Sequence, residues 1–393
     1  MKILQINSVI NSGSTGRIAE EIGRVLIEHG HESYIAYGRN ERLSESNQIK
    51  IGTESDIYKH SLRTLFFDQH GLGSSRATKD FLRKVDKIKP DVVGLHNIHG
   101  YYINYKILFD YLKSKQIPVL WTLHDCWSFT GHCSYFDSAN CMKWQTHCYS
   151  CPKISYYPKA LVDRSFKNFD DKKESFTNHK NLLIVTPSQW LADHVKNSFL
   201  KQYPRKVINN GIDLETFRPT KNLNEDKKRI LLGVASTWDE RKGLKDFIEL
   251  SKHLGKEYQI VLIGLSNQQI KILPNNIKGI QRTENVQELV EWYNKAEVFL
   301  NPTYVDNFPT TNIEALACGT PVITYDTGGC PEAIDQDTGI VIEKGNLELF
   351  QAAIGKIKKD RITSAKCRER AVNYFDGESR YLDYLALYLN LCK

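Results

Sequence analysis

The chain has 393 residues, 41% hydrophobic and 25% charged, the make-up of a folded globular protein, which excludes a disordered, collagen-like or disulfide-scaffold chain. Its length exceeds what one hydrophobic core ordinarily serves, so two domains are expected. The net charge of +7 divides into +9 over residues 1–208 and −2 over 209–393; a basic first half suits an anionic partner such as a phosphate, an acidic glycan or an anionic membrane surface, while its dispersed basic residues carry no RNA-binding signature and argue against nucleic acid.

The chain opens on one Lys and a short apolar stretch broken by Asn7 and Asn11. That reads as a first strand rather than a signal peptide. No apolar run reaches the ~18–20 residues of a membrane span, and the expectation is a cytoplasmic protein. Short continuous apolar runs then recur at 3–10, 33–37, 91–96, 118–124, 182–186 and 206–208, and again at 229–235, 258–264, 277–281, 296–301, 321–325 and 339–343. Runs without polar alternation predict strands covered on both faces. Helical spacing fills the gaps: Ile18, Ile22, Val25 and Leu26 form one face of a helix that stops at Gly30, and Leu289, Trp292 and Tyr293 do the same later. Alternating strands and helices predict α/β architecture with two doubly wound parallel sheets. The break falls near 209–228, where Asn209-Asn210-Gly211 is turn chemistry and 219–228 is polar and charged. The expected domains are 1–208 and 209–376, with a hinge near 209–218 and the cleft between them as the reaction chamber.

The most informative stretch is 301–332, read as strand, loop, helix, strand, Gly-rich turn and helix. Within it, Asp306-Asn307-Phe308-Pro309-Thr310-Thr311 leads into a helix carrying Glu314. Thr310 or Thr311 is expected to cap that helix, and Gly319 and Pro321 end it. A helix start presents unpartnered backbone N–H groups and a positive dipole end, which suits an anion. A carboxylate one turn inside, at Glu314, can accept two hydroxyls from a sugar ring; Asp306, eight residues earlier, can reach a second sugar.

This segment resembles the acidic-X7-acidic signature of family 4 retaining glycosyltransferases, which have the GT-B fold: two Rossmann-like domains facing a central cleft. The resemblance runs in family order through Pro90 to Asn97, Thr122-Leu123-His124-Asp125, Thr186-Pro187-Ser188, Asn210 to Asp213, Arg241-Lys242-Gly243 and Val261 to Gly264. It looks closest to members that build bacterial exopolysaccharide or O-antigen. The resemblance implies that Glu314 holds the ribose hydroxyls of a nucleoside-diphosphate-sugar donor and that Asp306 contacts its sugar. The backbone over Phe308, Pro309, Thr310 and Thr311, with Asn307, would receive the diphosphate, and Lys242 with Arg241 would neutralise it as it leaves. Gly13 and Gly16 would form the N-domain loop near the phosphates and acceptor, Gly264 would border the nucleotide, and His124 would serve the acceptor. The helical stretch 377–391 would pack back onto the N-domain.

Three features depart from the family pattern. Asp306 stands where Glu is usual, Pro309 removes an N–H donor, and Ser236 and Thr237 occupy the place of a second basic residue, which leaves Arg241 to supply that charge. The implied chemistry is metal-independent hexosyl transfer with retention, the diphosphate being stabilised by cationic side chains and a helix N-terminus. No catalytic cofactor is implied. The acceptor would be a saccharide or a polyprenyl-linked oligosaccharide, and the basic half would touch anionic inner-leaflet lipid. Two other readings stay open at this level: a nucleotide-sugar epimerase on the same scaffold, which would convert donor without acceptor, and a non-catalytic glycan- or nucleotide-binding protein.

Five of nine cysteines fall between 126 and 151. Cys148-Tyr149-Ser150-Cys151 is a Cys-x-x-Cys pair, with Cys133 and Cys141 upstream and His132 and His147 nearby. In a reducing compartment such clustering points to a metal before a disulfide. A four-thiolate structural zinc at Cys133, Cys141, Cys148 and Cys151 would staple this irregular insertion; free thiols or a disulfide are the alternatives.

Overall fold

The computed structural model describes residues 1–220, 228–357 and 362–393. Of the polar stretch 219–228 expected to join the domains, 221–227 lie outside the described residues. The chain divides into two compact units, Met1–Ile208 with Tyr381–Lys393, and Asn209–Arg380.

In the first unit, β1 (Lys2–Val9), β2 (Glu32–Arg39), β3 (Asn47–Lys50), β4 (Val92–Leu95), β5 (Val119–Thr122), β6 (Leu182–Thr186) and β7 (Arg205–Val207) form one sheet in the order β3-β2-β1-β4-β5-β6-β7. All its pairings are parallel. The interior strands β4 and β5 are buried at every position, as continuous apolar runs require when helices cover both faces. The sequence reading missed β3. It is an edge strand of sequence Asn-Gln-Ile-Lys in which only Ile49 is buried, so it has no apolar run to detect.

The second unit holds β8 (Arg229–Val234), β9 (Tyr258–Ile263), β10 (Ile277–Ile280), β11 (Ala296–Asn301), β12 (Val322–Tyr325) and β13 (Gly339–Ile342). They pair in parallel in the order β10-β9-β8-β11-β12-β13. Counted within the unit, that is the 3-2-1-4-5-6 order of dinucleotide-binding sheets, and the first sheet has the same order with one strand added. Strand order therefore reverses between β1 and β4 in one sheet and between β8 and β11 in the other. Loops leaving the carboxyl ends of those strands diverge and leave a crevice, which is where ligands bind in such folds.

Aromatic packing stabilises the first unit beneath its irregular 126–163 segment. The Phe176 ring lies 4.7 Å from Phe109, 4.9 Å from Trp121 and 5.0 Å from Tyr105; truncating a ring so placed costs about 3–5 kcal/mol. The helix Gly377–Leu391 buries Tyr381, Tyr384, Leu385 and Tyr388 in one cluster with Ile18, Ile22, Val25, Val92 and Leu120 of the first unit. Gly94 in β4 leaves room for it: a Cβ there would stand 2.2 Å from the Tyr388 hydroxyl.

Candidate functional site

The loops after β8 and β11 meet at the second unit's switch point. After β8, Asp239 caps a short 3-10 turn, its side chain accepting from the Lys242 N–H at 3.0 Å, and Gly243 closes the turn at φ 75°. A Cβ on Gly243 would lie 2.2 Å from the Pro302 carbonyl. The glycine is thus what lets the Arg241-Lys242 turn sit flush on the loop after β11. The Arg241 carbonyl then accepts from the Tyr304 N–H at 2.7 Å and the Thr303 hydroxyl at 3.1 Å.

This contact brings three of the singled-out side chains together. Lys242 Nζ donates to Asp306 Oδ2 at 2.5 Å, and Arg241 Nη1 stands 3.7 Å from the same oxygen while donating to the Val305 carbonyl at 3.0 Å. Burial works to raise the Asp306 pKa, but the Lys242 and Arg241 charges outweigh it and hold the carboxyl below its usual range. Gly328 supports the loop from below: at φ 58°, its Cβ would fall 1.7 Å from the Asp306 carbonyl, which also accepts from the Gly329 N–H at 3.2 Å. Tyr304 is fixed by Asp246, which accepts from its hydroxyl at 3.1 Å and from Tyr325 at 2.9 Å. Asp246 and Gly328 carry no local signal of these roles.

The helix Thr310–Ala317 follows directly. The expected threonine cap is not made. Pro309 occupies the N-cap position with φ −69° and ψ 121°, and Thr310 and Thr311 are the first helical residues. The ring of Pro309 fixes φ and offers no side-chain acceptor, so the first-turn N–H groups face the loop without a side-chain cap. The Phe308 carbonyl accepts from Asn210 Nδ2 at 3.0 Å. Glu314 is buried at 4% exposure, and its Oε2 accepts from the Tyr293 hydroxyl at 2.8 Å. A surface carboxylate would show neither property. The sequence reading placed Tyr293 on an apolar helix face, where periodicity hides its hydroxyl's task. Arg368, also unforeseen, donates to the Ala317 carbonyl at 2.9 Å and closes the helix end.

Gly264 ends β9 at φ 101°, and a Cβ there would lie 1.6 Å from the Ala235 carbonyl. Its backbone role is a close approach between the ends of β9 and β8. Asp335-Gln336-Asp337 is an Asp-X-Asp triplet, a spacing used elsewhere to hold a divalent cation; here its carboxylates are engaged within their own turn and with Arg370 at 2.6 Å and Lys366 at 2.9 Å.

The remaining singled-out residues belong to the first unit. Gly13 begins the helix Gly13–Glu28 at φ 62°, and Gly16 packs against the end of β1, where a Cβ would meet Val9 at 3.1 Å. His124, after β5, stacks on His96 with ring centroids 5.4 Å apart. Gln5 Oε1, His96 and His124 form a chain with steps of 3.0 and 3.1 Å. His99 lies 3.0 Å from Asp125 and 3.2 Å from the Tyr157 hydroxyl. Cys133, Cys141, Cys148 and Cys151 line one small cavity in the segment after β5. Among the described residues, no three His, Cys, Asp or Glu side chains as they lie form a metal-holding group, and no helix is long and apolar enough to cross a membrane.

Two Rossmann-like parallel sheets in one chain, with a cationic turn and a helix start at a switch point, are the architecture of the GT-B fold, on which many glycosyltransferases are built. The backbone superimposes on sucrose-phosphate synthase from Thermosynechococcus elongatus with a TM-score of 0.75 at 17% identity, covering 99% of this chain and 98% of that one. It superimposes on Anabaena HepE, solved in complex with UDP, with a TM-score of 0.68 at 14% identity over 99% and 100% of the two chains. The description Glycosyltransferase Family 4 matches residues 15–216, and Glycosyl transferases group 1 matches 215–374. The chain belongs to glycosyltransferase family 4. It is 25% identical to the putative colanic acid biosynthesis glycosyl transferase WcaC of Escherichia coli (strain K12) over 416 aligned residues and 100% of both chains. It is 28% identical to the N,N'-diacetylbacillosaminyl-diphospho-undecaprenol alpha-1,3-N-acetylgalactosaminyltransferase of Campylobacter jejuni over 56% of this chain and 63% of the relative.

Proposed function

We propose that this enzyme transfers a hexosyl group from a nucleoside diphosphate sugar to a lipid-linked saccharide during surface polysaccharide assembly, with retention at the anomeric carbon and without a catalytic metal. The observation that carries the reading is the Lys242–Asp306 pair beside the uncapped start of the helix Thr310–Ala317. In this reading the second unit takes the donor. The 2′- and 3′-hydroxyls of the ribose donate to Glu314, the diphosphate lies on the backbone over Asn307 to Thr311, and Lys242 with Arg241 balances the charge that grows as the C1–O bond to phosphate breaks. Asp306, held ionised by the same cations, meets the sugar hydroxyls. The acceptor hydroxyl attacks C1 on the face the diphosphate leaves and passes its proton to the departing phosphate oxygen. The first unit takes the acceptor near Gly13, Gly16 and His124. The printed names of the colanic acid and undecaprenol-diphosphate relatives support a lipid-carried saccharide as acceptor.

A thermal-shift screen over nucleoside diphosphates and their sugars tests the donor half, because a ligand that binds only the folded state raises the melting temperature. One nucleoside diphosphate is expected to stabilise the chain, and NMR of the product is expected to show the donor's anomeric configuration. Stabilisation by none of them would end the proposal. Within it, Tyr293→Phe removes the hydroxyl that orients Glu314 and is expected to weaken donor affinity about tenfold to a hundredfold, the worth of one buried hydrogen bond to a charged group. Titration calorimetry reads this, and an unchanged affinity would separate Tyr293 from the site.

The same proposal places the enzyme in the cytoplasm, peripheral to the inner membrane face. Exposed Phe66 and Phe67 end the helix Glu54–Phe67, and exposed Leu161 and Val162 join them through the Leu161 N–H to Leu65 carbonyl bond of 2.7 Å. Lys59 and Arg63 on that helix supply charge. Sedimentation is expected with phosphatidylglycerol vesicles, falling as salt rises; binding indifferent to salt would contradict it.

A further inference from the structure

The segment between β5 and the helix Ser165–Phe176 contains only 3-10 turns at 127–129, 137–139 and 143–145. Yet Trp127, Phe129, Phe136 and Trp144 within it are all at most 2% exposed. Something other than regular backbone pairing holds the segment closed. Its cavity of about 20 Å³ has room for one ion or one water and little else.

Three features of that cavity point the same way. The thiols of Cys133 and Cys151 are hydrogen-bonded to each other. Cys148 Sγ accepts from the Gly131 N–H at 3.1 Å, and a Cβ on Gly131 would stand 2.6 Å from Cys148 Cβ, so backbone is packed directly on that sulfur. His132 also lines the cavity. Its Nδ1 is 2.6 Å from Asp68 Oδ1 with both side chains fully buried, and its Nε2 is buried with no hydrogen-bond partner. A carboxylate that fixes one ring nitrogen and leaves the other bare is the arrangement that orients a metal-binding histidine. Nearby, Lys172 is 1% exposed; its ammonium donates to the Trp127 and Thr130 carbonyls at 2.6 and 2.9 Å, and the Asp68 and Asp125 carboxylates act on its charge along with Cys148 and Cys133.

We propose that this cavity binds one zinc ion, held by Cys133, Cys148 and Cys151 as thiolates and by His132 Nε2. The thiols turn onto the ion from their present positions to reach bonds of about 2.3 Å, and the imidazole to about 2.0–2.1 Å. Three thiolates on Zn²⁺ carry one net negative charge. Cys141 lines the same wall and stays a free thiol. With four protein ligands the ion has no open position and serves to staple the segment. The inference does not depend on the donor reading.

Elemental analysis of the full chain, purified under reductant without chelator, is expected to give one zinc per chain. Cys148→Ser and His132→Ala are expected to lower that at least tenfold, and Cys141→Ser to leave it unchanged. Because a ligand variant can fail to fold, the wild-type chain is also titrated with an organomercurial while released zinc is read by a colorimetric chelator; zinc is expected to leave as thiols are blocked. Wild-type protein with no zinc even after incubation with zinc salt, iron in its place, or a Cys133–Cys151 disulfide would overturn the site. Loss of zinc in Cys141→Ser but not in His132→Ala would overturn the ligand assignment.

Discussion

Replacing Lys242 with Ala is expected to lower kcat/KM for sugar transfer by roughly a hundredfold to a thousandfold, the range seen when one preorganised group that stabilises a developing negative charge is removed. Lys242 faces Asp306 at 2.5 Å with both side chains less than one-fifth exposed. The partly dry surroundings keep that charge effective, where a surface pair would be screened. In the proposed reading, removing the ammonium subtracts a counter-charge for the diphosphate and also leaves the Asp306 carboxylate facing an incoming anion with Arg241 as the remaining cation, 3.7 Å away. Arg241→Ala is expected to cost less, because Arg241 is the more distant cation and is partly engaged by the Val305 carbonyl at 3.0 Å. Steady-state kinetics with the donor found in the screen checks both. A Lys242→Ala enzyme within threefold of wild type would remove this residue from the site. Glu314→Ala is expected to act on binding instead, raising the donor dissociation constant with the fold intact.

The chain is expected to lose stability steeply between pH 6.5 and 4, a loss that begins well above the range in which carboxylates titrate. His60, at 1% exposure, is pushed down to about 4, by burial first and by the Arg63 charge second. The reason is visible in its bonds. His60 Nε2 accepts from the Gly71 and Gly73 N–H groups at 3.0 and 3.2 Å while Nδ1 meets the Ser74 hydroxyl at 2.9 Å. A second proton on Nε2 would break both backbone bonds. His96 and His124 are locked in the same sense. Gln5 Nε2 donates to the Ala19 carbonyl at 2.8 Å, which leaves Gln5 Oε1 to accept from His96 Nε2; His96 Nδ1 then accepts from His124 Nε2. A proton added to His96 would set two donors against each other. Burial lowers His96 well below its ordinary value and His124 to about 4.

Because each folded-state value lies below the unfolded value of about 6.5, the unfolded chain takes up protons first as pH falls. The stabilisation is complete above pH 6.5 and is lost on the way down to about 4. A drop from 6.5 to about 4 corresponds to roughly 3 kcal/mol for His60 alone. Melting temperatures across this range check the expectation, and His60→Gln is expected to flatten the slope. A melting temperature constant down to pH 4.5 would contradict it.

Much of this enzyme was legible before its structure. Both sheets lie inside α/β units, so their interior strands had to be apolar throughout, and runs such as 119–122 and 298–300 declared themselves. The edge strand β3 did not, since one covered face needs only Ile49. The Asp306 to Glu314 segment was conspicuous because loop, helix start and carboxylate lie within nine residues. The threonine cap was misjudged there because local preference favours Thr, while Pro309 ended the loop one residue earlier.

From its order of residues alone, then, this protein has two parallel-sheet units and a loop-to-helix segment suited to an anion, since burial on both faces and helix starts are written in neighbouring positions. What only folding decided is which distant groups complete the site: Lys242 reaches across 64 positions to Asp306, and Tyr293 across 21 to Glu314. Such pairings depend on strand order and on where backbones can touch, as at Gly243 against Pro302. Local propensity holds no record of either.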